Sequence, residues 1–448
     1  MHLYYELSPK VIPEGRTIRF TISSRYEPQL LQSGSEYVLS VGSVHDFRDR
    51  WTQTATVNEK NEIQFEFLPK FKGEYKAGIY LPERSWPADP LFLLSFFVVA
   101  EDLSRLRPYR GDLHMHSSYS DGKESPAFMA ASARECGLDF AAITDHRVFD
   151  SSIMAIREAE ENGFDILLFP GEEVNYCLGL GHIVSINADK SIAGQFRLNE
   201  KTAGKNMLER LENINQLIDQ VYEGIADEVD KKKLPAEVDK RLYGFYYGIV
   251  KRIHEAGGFA ISAHPFWISN ETLDMVQATY EYVLKKRLFD AVEIFGGVNI
   301  EANMLSLSRI HFEQMSGPEI PVVGSSDAHD AVGHNMGRTW TVVFSAKLER
   351  EAILNAIREH LTTACLISKS HEPIVTGPFH LVEYTYFLLR EFFPRHDEIC
   401  RTLGGMYKSV IRKRDLEKIK IQQVLQAELD SLYETYFGQS TAVREAST

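Results

Sequence analysis

Cysteine is scarce: four residues in 448, at Cys136, Cys177, Cys365 and Cys400, widely spread and without CxxC spacing. That scarcity excludes a disulfide framework and a Cys-rich zinc module, and it leaves buried, reduced thiols as the expectation. Long apolar runs are also missing. No window approaches the roughly 18 apolar residues that span a bilayer, and MHLYYELSPKVIPEGRTIRF lacks a basic stretch followed by an apolar h-region. The expectation is a soluble, cytoplasmic protein with no membrane partner. Basic charge is in deficit, with 49 Lys and Arg against 63 Asp and Glu and a formal net charge of -14. Phosphate backbones reward clustered Lys and Arg, so no nucleic-acid partner is favoured. A small anionic substrate stays open, because bound divalent cations reverse the local charge inside a site. Internal repeats and low-complexity tracts are absent as well.

What is present divides by texture. Residues 1–103 carry short alternating runs, TIRFTISS (17–24), EYVLSVGS (36–43), EIQFEFLP (62–69), GEYKAGIYLP (73–82) and LFLLSFFVVA (91–100), separated by Gly, Pro and polar turns. Such spacing predicts an N-terminal β-sandwich. EDLSRLRPYR (101–110) reads as a linker. From residue 108 to 369 short apolar strands alternate with helical patterns: FAAIT (140–144), ILLFP (166–170), HIVSI (182–186), FAISA (259–263), AVEIF (291–295) and PVVGSS (321–326). That alternation predicts an α/β fold with a largely parallel sheet or barrel. In SPAFMAASARECG (125–137), Ser125 is placed to cap a helix with Pro126 at its first position and Gly137 at its end. Residues 195–250 are charged and helical in period, with a break at Pro235, and read as a helical insertion or lid, or as a solvated helical pair. Residues 370–448 predict a C-terminal helical appendage. Either terminal region is a candidate for homo-oligomer contacts.

The chemistry concentrates at strand ends. If DLHMH in GDLHMHSSYSDG (111–122) is a strand, His114 and His116 face one side, placed to chelate a metal, with Asp121 nearby in the following turn. Alone, HxH is more often an exposed polar strand end than a metal site. Later strand ends repeat the pattern: Asp145 and His146 in AAITDH, Glu172 and Glu173 in FPGEEVN, His182 in GLGHIVSIN, His264 in FAISAHPFW, Glu293 in AVEIFGG, and Asp327 and His329 in VVGSSDAH. Convergence of that many ligand types predicts a polynuclear metal site. GLGLG (177–181) lacks the Lys-Ser/Thr ending of a nucleotide-binding loop and opens no helix.

Together DLHMHSSYSDG, ITDH, PGEEV, SAHP and SSDAH resemble the PHP (polymerase and histidinol phosphatase) superfamily across roughly 108–345, in the expected order. The resemblance implies a distorted (β/α)7 barrel, phosphoesterase-type hydrolysis and two or three divalent ions, commonly zinc, manganese or iron. Carried over, it assigns His114, His116 and Asp327 to one metal, with Glu173 bridging to a second held by His182 and His264. Asp121, His146 and His329 form the third site of a trinuclear centre. Other members place His where Asp121 stands. Neighbours on a strand point opposite ways, so one of Glu172 and Glu173 ligates, and the family spacing favours Glu173. The PGEEV…GH run resembles a branch that also hydrolyses carbamates and aryl esters.

The implied mechanism is attack by a metal-bridging hydroxide on a small-molecule phosphate ester, with no Ser or Cys nucleophile. Around it, Arg147 and Arg338 are candidate phosphate clamps, although surface ion pairs explain them equally well. His334 is a candidate leaving-group acid or an ordinary solvated loop histidine. Glu293 and Glu172 are expected to support ligands or touch substrate, and Trp267 and Phe266 to wall the pocket or pack normally. One alternative is the same centre cleaving a carboxylic ester, carbamate or amide. Another is a non-catalytic metal-binding or interaction protein.

Overall fold

The computed structural model describes residues 4–26, 31–175, 180–196, 207–269, 272–273, 275–332, 335–412 and 419–437. They form two compact units, one of Met1–Arg107, Phe379–Ile399 and Ile419–Thr448, the other of Pro108–Pro378 and Cys400–Lys418. The C-terminal residues are thus divided between the two.

In the first unit a three-stranded sheet (Tyr5–Ser8, Ile18–Ser24, Ile63–Phe67) and a five-stranded sheet (Val11–Pro13, Phe92–Val99, Gly73–Tyr80, Glu36–Ser43, Arg50–Thr56) contribute to one core. Alternation is cleanest in Ile63–Phe67, where Ile63, Phe65 and Phe67 are buried and Gln64 and Glu66 exposed. Phe20 meets Phe96 with ring centroids 4.7 Å apart, and Tyr75 stacks on Phe96 at 5.2 Å. Arg50–Thr56, RWTQTAT, is a strand that its mostly polar sequence does not announce; among the described residues it sits at a sheet edge, paired with Glu36–Ser43.

The second unit is α/β. One sheet has the order Leu167–Phe169, Phe140–Ile143, Arg107–Met115, Thr339–Ser345, Thr362–Ile367, Pro373–Thr376; the other Gly171–Val174, His182–Ile186, Phe259–Ala263, Ala291–Phe295, Val322–Gly324. Two parallel bridges, Met115 to Ala328 and His146 to Glu173, join them, so the strands curl around a common interior. Pairing is less parallel than the alternation suggests. Gly171–Val174 and Phe259–Ala263 both run antiparallel to His182–Ile186, as do Thr339–Ser345 and Pro373–Thr376 to Thr362–Ile367. The reason lies partly in Pro170, which interrupts FPGEEV and lets the chain leave one sheet at Phe169 and enter the other at Gly171. The antiparallel turn also decides where His182 falls. Entering its strand opposite Ala263, the last residue of Phe259–Ala263, it arrives at the same end as residues that leave the parallel strands.

Helix Pro126–Glu135 is capped as its sequence indicates: Ser125 Oγ accepts from Phe128 N, and Pro126 opens the first turn. The 195–250 insertion contains helices Met207–Glu223, Ala226–Asp230 and most of Lys240–Glu255. Leu217, Val221, Phe245, Ile249 and Ile253 bury with Ile183, Ala260 and Val292 in one core, so these helices cover the sheet as structural members, not as a detached lid. Cys365 and Cys400 are buried and Cys136 is half-buried; Cys177 lies outside the described residues.

Candidate metal centre

Strand Arg107–Met115 presents His114 and then His116 at its exit, both fully buried. Backbone bonds fix that exit: Asp327 N donates to His114 O and His116 N to Ala328 O, each at 2.9 Å. Asp112, which the sequence reading passed over, accepts from His114 N at 3.2 Å and Ser326 N at 3.0 Å, tying the two strand ends together. Burial pushes its carboxyl up to about 7. Glu173 is stitched in by backbone bonds to Thr144 and Asp145 carbonyls and by Arg147 N donating to its own carbonyl. Asp145, named with His146 at its strand end, accepts instead from Ser117 N (2.7 Å), Ser117 Oγ (2.5 Å) and Ser120 Oγ (2.6 Å), which holds the loop leading to Asp121.

Glycine makes two close approaches. A Cβ on Gly122 would lie 2.7 Å from the His116 carbonyl carbon and oxygen and 2.8 Å from Ser117 N. One on Gly297 would collide with Ser326 O and stand 2.9 Å from Asp327 Cβ. Arg147, His264 and Asp327 have positive φ of 57°, 23° and 49° without being glycine. Strain of this kind persists where surrounding structure enforces it, and here it falls at three strand exits around one cluster.

The centre of the cluster is Glu173, with no exposure. Five imidazoles surround its carboxylate: His182 Nδ1 at 2.6 Å, His146 Nδ1 at 2.7 Å, His114 Nε2 at 3.3 Å, His116 Nε2 at 3.5 Å and His264 Nε2 at 3.6 Å. Despite that proximity, neither oxygen of Glu173 accepts an aligned hydrogen bond, and buried His264 Nδ1 has no hydrogen-bond partner. Burial opposes ionisation of Glu173; His182 and His114 foremost overcome it and hold the carboxyl well below its usual range. Asp327 Oδ1 stands 3.0 Å from His116 Nε2 and 3.5 Å from His114 Nε2, and those two nitrogens are 3.2 Å apart. On the far side of His114, Nδ1 lies 3.1 Å from Glu293 Oε2, which favours a tautomer with Nε2 as a lone pair facing Asp327 and Glu173.

A second grouping adjoins the first. Asp121 Oδ2 is 3.4 Å from His146 Nε2 and 3.3 Å from His329 Nε2, with His116 Nδ1 3.8 Å from Asp121 Oδ1. These residues form three sets of potential ligands: His116, Asp121, His146 and His329; His114, Glu173 and His264; and His114, His116 and Asp327. Eight of the nine expected ligands fall in these sets, and the ninth, His182, adjoins them through its 2.6 Å approach to Glu173. His114 and His116 each belong to two of the sets, where the family resemblance assigned each to one. Lone pairs converging without aligned N–H···O bonds, around a carboxylate with neither oxygen satisfied, fit divalent cations and leave little else to explain them.

Glu172 points the other way. Its carboxylate accepts from Ser191 Oγ at 3.1 and 2.9 Å, from Ala193 N at 3.0 Å and from Ile192 N, closing the short helix Ala193–Gln195. It holds a loop and does not line the cluster. Arg338 also departs from its expected use, donating Nη2 to the carbonyls of Ile367 (3.2 Å) and Ser368 (3.0 Å). Arg147 is exposed beside His146. His334 lies outside the described residues. The aromatic pair after SAHP separates: Trp267 stands edge-on to His264 (5.3 Å) and His182 (5.9 Å), while Phe266 packs against Tyr280. Asn175 Nδ2 lies 3.3 Å from His146 Nδ1 and 3.4 Å from His182 Nδ1, another contact not foreseen. Its only signal was its place at the end of FPGEEVN.

Residues 112–303 match the family described as PHP domain. Over that span the chain is similar to PHP domains. The matched span ends before Asp327 and His329, which the fold returns to the ligands within it through the Met115–Ala328 bridge. No curated protein matches the chain. Among solved structures it is similar to a two-domain protein from Bacteroides vulgatus containing a predicted PHP-like metal-dependent phosphoesterase, at 18% identity and a TM-score of 0.38. That likeness covers 58% of this chain and 65% of the other, less than two thirds of its length. An amidohydrolase from Chromobacterium violaceum with bound sulfate and no metal is 21% identical over 51% of this chain and 89% of its own, with a TM-score of 0.32. Endonuclease Q in complex with a 27-mer duplex bearing an abasic lesion is 16% identical over 56% and 57%, with a TM-score of 0.32. None of the three carries an argument about the reaction of this chain.

Proposed function

We propose that this protein is a metal-dependent hydrolase, a phosphoesterase acting on a small-molecule phosphate ester. The observation that carries the proposal is Glu173: a fully buried carboxylate among five imidazoles, neither oxygen satisfied. In this reading His114, His116, Asp327, Glu173, His182 and His264 hold two divalent ions, and Asp121, His146 and His329, with His116, hold a third. The metals in view are zinc, manganese and iron, in a distorted (β/α)7 PHP barrel beside an N-terminal β-sandwich. Bound there, such ions bring a water's pKa toward neutrality and offset charge developing on an ester oxygen.

The chain's own residues supply the rest. Glu293 fixes the His114 ring, and Asp112 locks the two strand ends from which His114 and Asp327 project. Asp145 holds the 117–120 loop and so the approach of Asp121. Trp267 puts an apolar edge against His182 and His264, excluding water from that side. Arg147, exposed next to His146, is placed to meet an anionic group.

A second reading keeps the same centre and changes the bond: a carboxylic ester, carbamate or amide. The engagement of Arg338 with backbone carbonyls favours it, since one expected phosphate clamp is committed elsewhere. The deciding experiment measures metal content and then turnover of phosphomonoesters, phosphodiesters, oligonucleotides and aryl esters on metal-loaded protein. Turnover of a small phosphoester with about two or three ions per chain is expected. Aryl-ester turnover alone supports the second reading, and oligonucleotide cleavage alone removes the small-molecule substrate. A chain that takes up fewer than two ions is the non-catalytic interaction protein. No helix among the described residues is long and apolar enough to cross a membrane. A cytoplasmic location and a homo-oligomeric state remain part of the proposal.

A further inference from the structure

At the other end of the second unit lies a cavity of about 780 Å³ that the metal chemistry does not use. Its wall is one stripe of helix Lys240–Glu255, namely Tyr243, Tyr247, Val250, Lys251 and His254, spaced to share a face. Tyr282, Lys286 and Arg287 close it from the end of helix Gln277–Lys285, and Lys232 and Lys233 from the turn after Ala226–Asp230. Its position is fixed by the chain. Lys240–Glu255 leads into the start of strand Phe259–Ala263, whose far end delivers His264. A strand rises about 3.3 Å per residue, so the cavity and the metal cluster are on the order of 15 Å or more apart.

Its composition is unlike the rest of the chain. In a protein of net charge -14, six basic side chains line one cavity and Glu255 is the one acidic residue among its lining residues. Lys251 is neutralised by Glu228 and approaches Glu255 at 3.8 Å, and His254 is held by Asp290 at 2.7 Å. Among the described residues no carboxylate comes within 4.0 Å of Lys232, Lys233 or Lys286. Arg287 adds a buried Nε with no hydrogen-bond partner.

Aromatic surface lies directly beside that charge. The Tyr243 and Tyr247 rings are nearly parallel, 15° apart with centroids at 6.1 Å, and Tyr282 meets Tyr243 edge-on at 5.6 Å. Lys232 Nζ sits 4.8 Å from the Tyr247 centroid and Lys286 Nζ 5.4 Å from that of Tyr282. An anion drawn to either ammonium is therefore brought against a half-buried ring. The volume falls within the usual range of small-molecule pockets, roughly 300–1,000 Å³.

We propose that this cavity binds a phosphate-bearing planar aromatic molecule, the chemistry of a mononucleotide, with the base against Tyr247 and Tyr282 and the phosphate on Lys232, Lys233 and Lys286. A single local cluster of cations on an acidic chain suits a small ligand better than a nucleic-acid strand, which needs a cationic track. The inference is independent of which bond the metal centre cleaves.

Calorimetric titration of the full chain with adenosine monophosphate, guanosine monophosphate and inorganic phosphate tests it. A mononucleotide should saturate, and inorganic phosphate should bind at least about tenfold more weakly, lacking the ring. Both Tyr282→Leu and the exposed pair Lys232→Glu/Lys286→Glu should weaken the nucleotide about tenfold or more. His114→Ala/His116→Ala should leave it unchanged, placing the ligand away from the metal cluster. Three outcomes overturn the proposal: no mononucleotide binding at millimolar concentration, binding indifferent to the lysine reversals, or binding lost with the two histidines. A single-stranded oligothymidylate binding about tenfold more tightly than any mononucleotide overturns it in favour of a nucleic-acid surface.

Discussion

Replacing Glu172 by Ala would strand the amides of Ile192 and Ala193, both buried, at a cost of about 1–3 kcal/mol. Melting temperature should fall while metal content is retained. Glu173→Gln should do the reverse, preserving the fold and losing bound metal, because it removes charge from the centre of five imidazoles. Metal analysis and thermal melts on the same two variants check both, and equal metal loss in the two would show that the strand does not separate their roles. Glu293→Gln touches no cation in the proposed arrangement, yet weakens the hydrogen bond that orients His114. A loss of metal affinity of roughly 10- to 100-fold is expected, read by competition with a chelator. Cys365 marks the opposite case of a nucleophile kept idle. Burial pushes its thiol up to about 12, so alkylating reagents should leave it unmodified in the native chain.

Elements set how these residues meet. Parallel strand exits, the antiparallel strand that carries Glu173 and the antiparallel entry of His182 deliver imidazoles and carboxylates to one end of the curled sheets, and Gly122 and Gly297 permit the loops between them to touch. Gly297→Ala should push the Ser326–Asp327 segment away and reduce metal binding more than it lowers the melting temperature. In the first unit, helix Phe379–Glu391 is tied to strand Gly73–Tyr80 by Arg390, 2.6 Å from Glu74, which also meets Lys76 at 2.6 Å. Burial would raise the Glu74 pKa; the hydrogen bond from Lys76 and the charges of Lys76 and Arg390 outweigh it and bring it below 4.5. Since the folded value is the lower one, the stabilisation is complete above about pH 4.5 and disappears as pH falls through the folded value. Glu74→Gln should therefore melt earlier at pH 7, by about 1 kcal/mol or less, and converge with the parent chain as pH falls through the folded value. A gap that stays constant across that range would remove the ion pairs as its cause.

For the whole molecule, the proposed ions bind only the folded chain, so their removal is a stability measurement. Chelation should lower the melting temperature, and restored zinc, manganese or iron should raise it with concentration, worth about 2.7 kcal/mol at a hundredfold excess over Kd. Indifference to all three metals would contradict the reading of the cluster. Much of this cluster is legible without coordinates. HxH, Asp-His and Glu-Glu at the ends of apolar runs name the ligand types, because strand period and residue chemistry are local properties. The family resemblance then groups them, and the cap of Pro126–Glu135 can be read residue by residue. Contacts made by chain segments far apart in sequence cannot. Asp112 looks like any strand carboxylate until Ser326 arrives from the other sheet, and Arg338 looks like a phosphate clamp until two carbonyls claim it. His116 belongs to one ligand set in sequence and to two in space, since only folding brings Asp121 and Asp327 to opposite nitrogens of one ring. The cationic tyrosine cavity is likewise invisible along the chain, its lysines and rings coming from three separate segments. The sequence by itself determined the ligand chemistry and the strand ends that carry it. Tertiary structure decided the direction each side chain takes and its nonlocal partners, because those depend on sheet curvature and on close approaches between distant backbones.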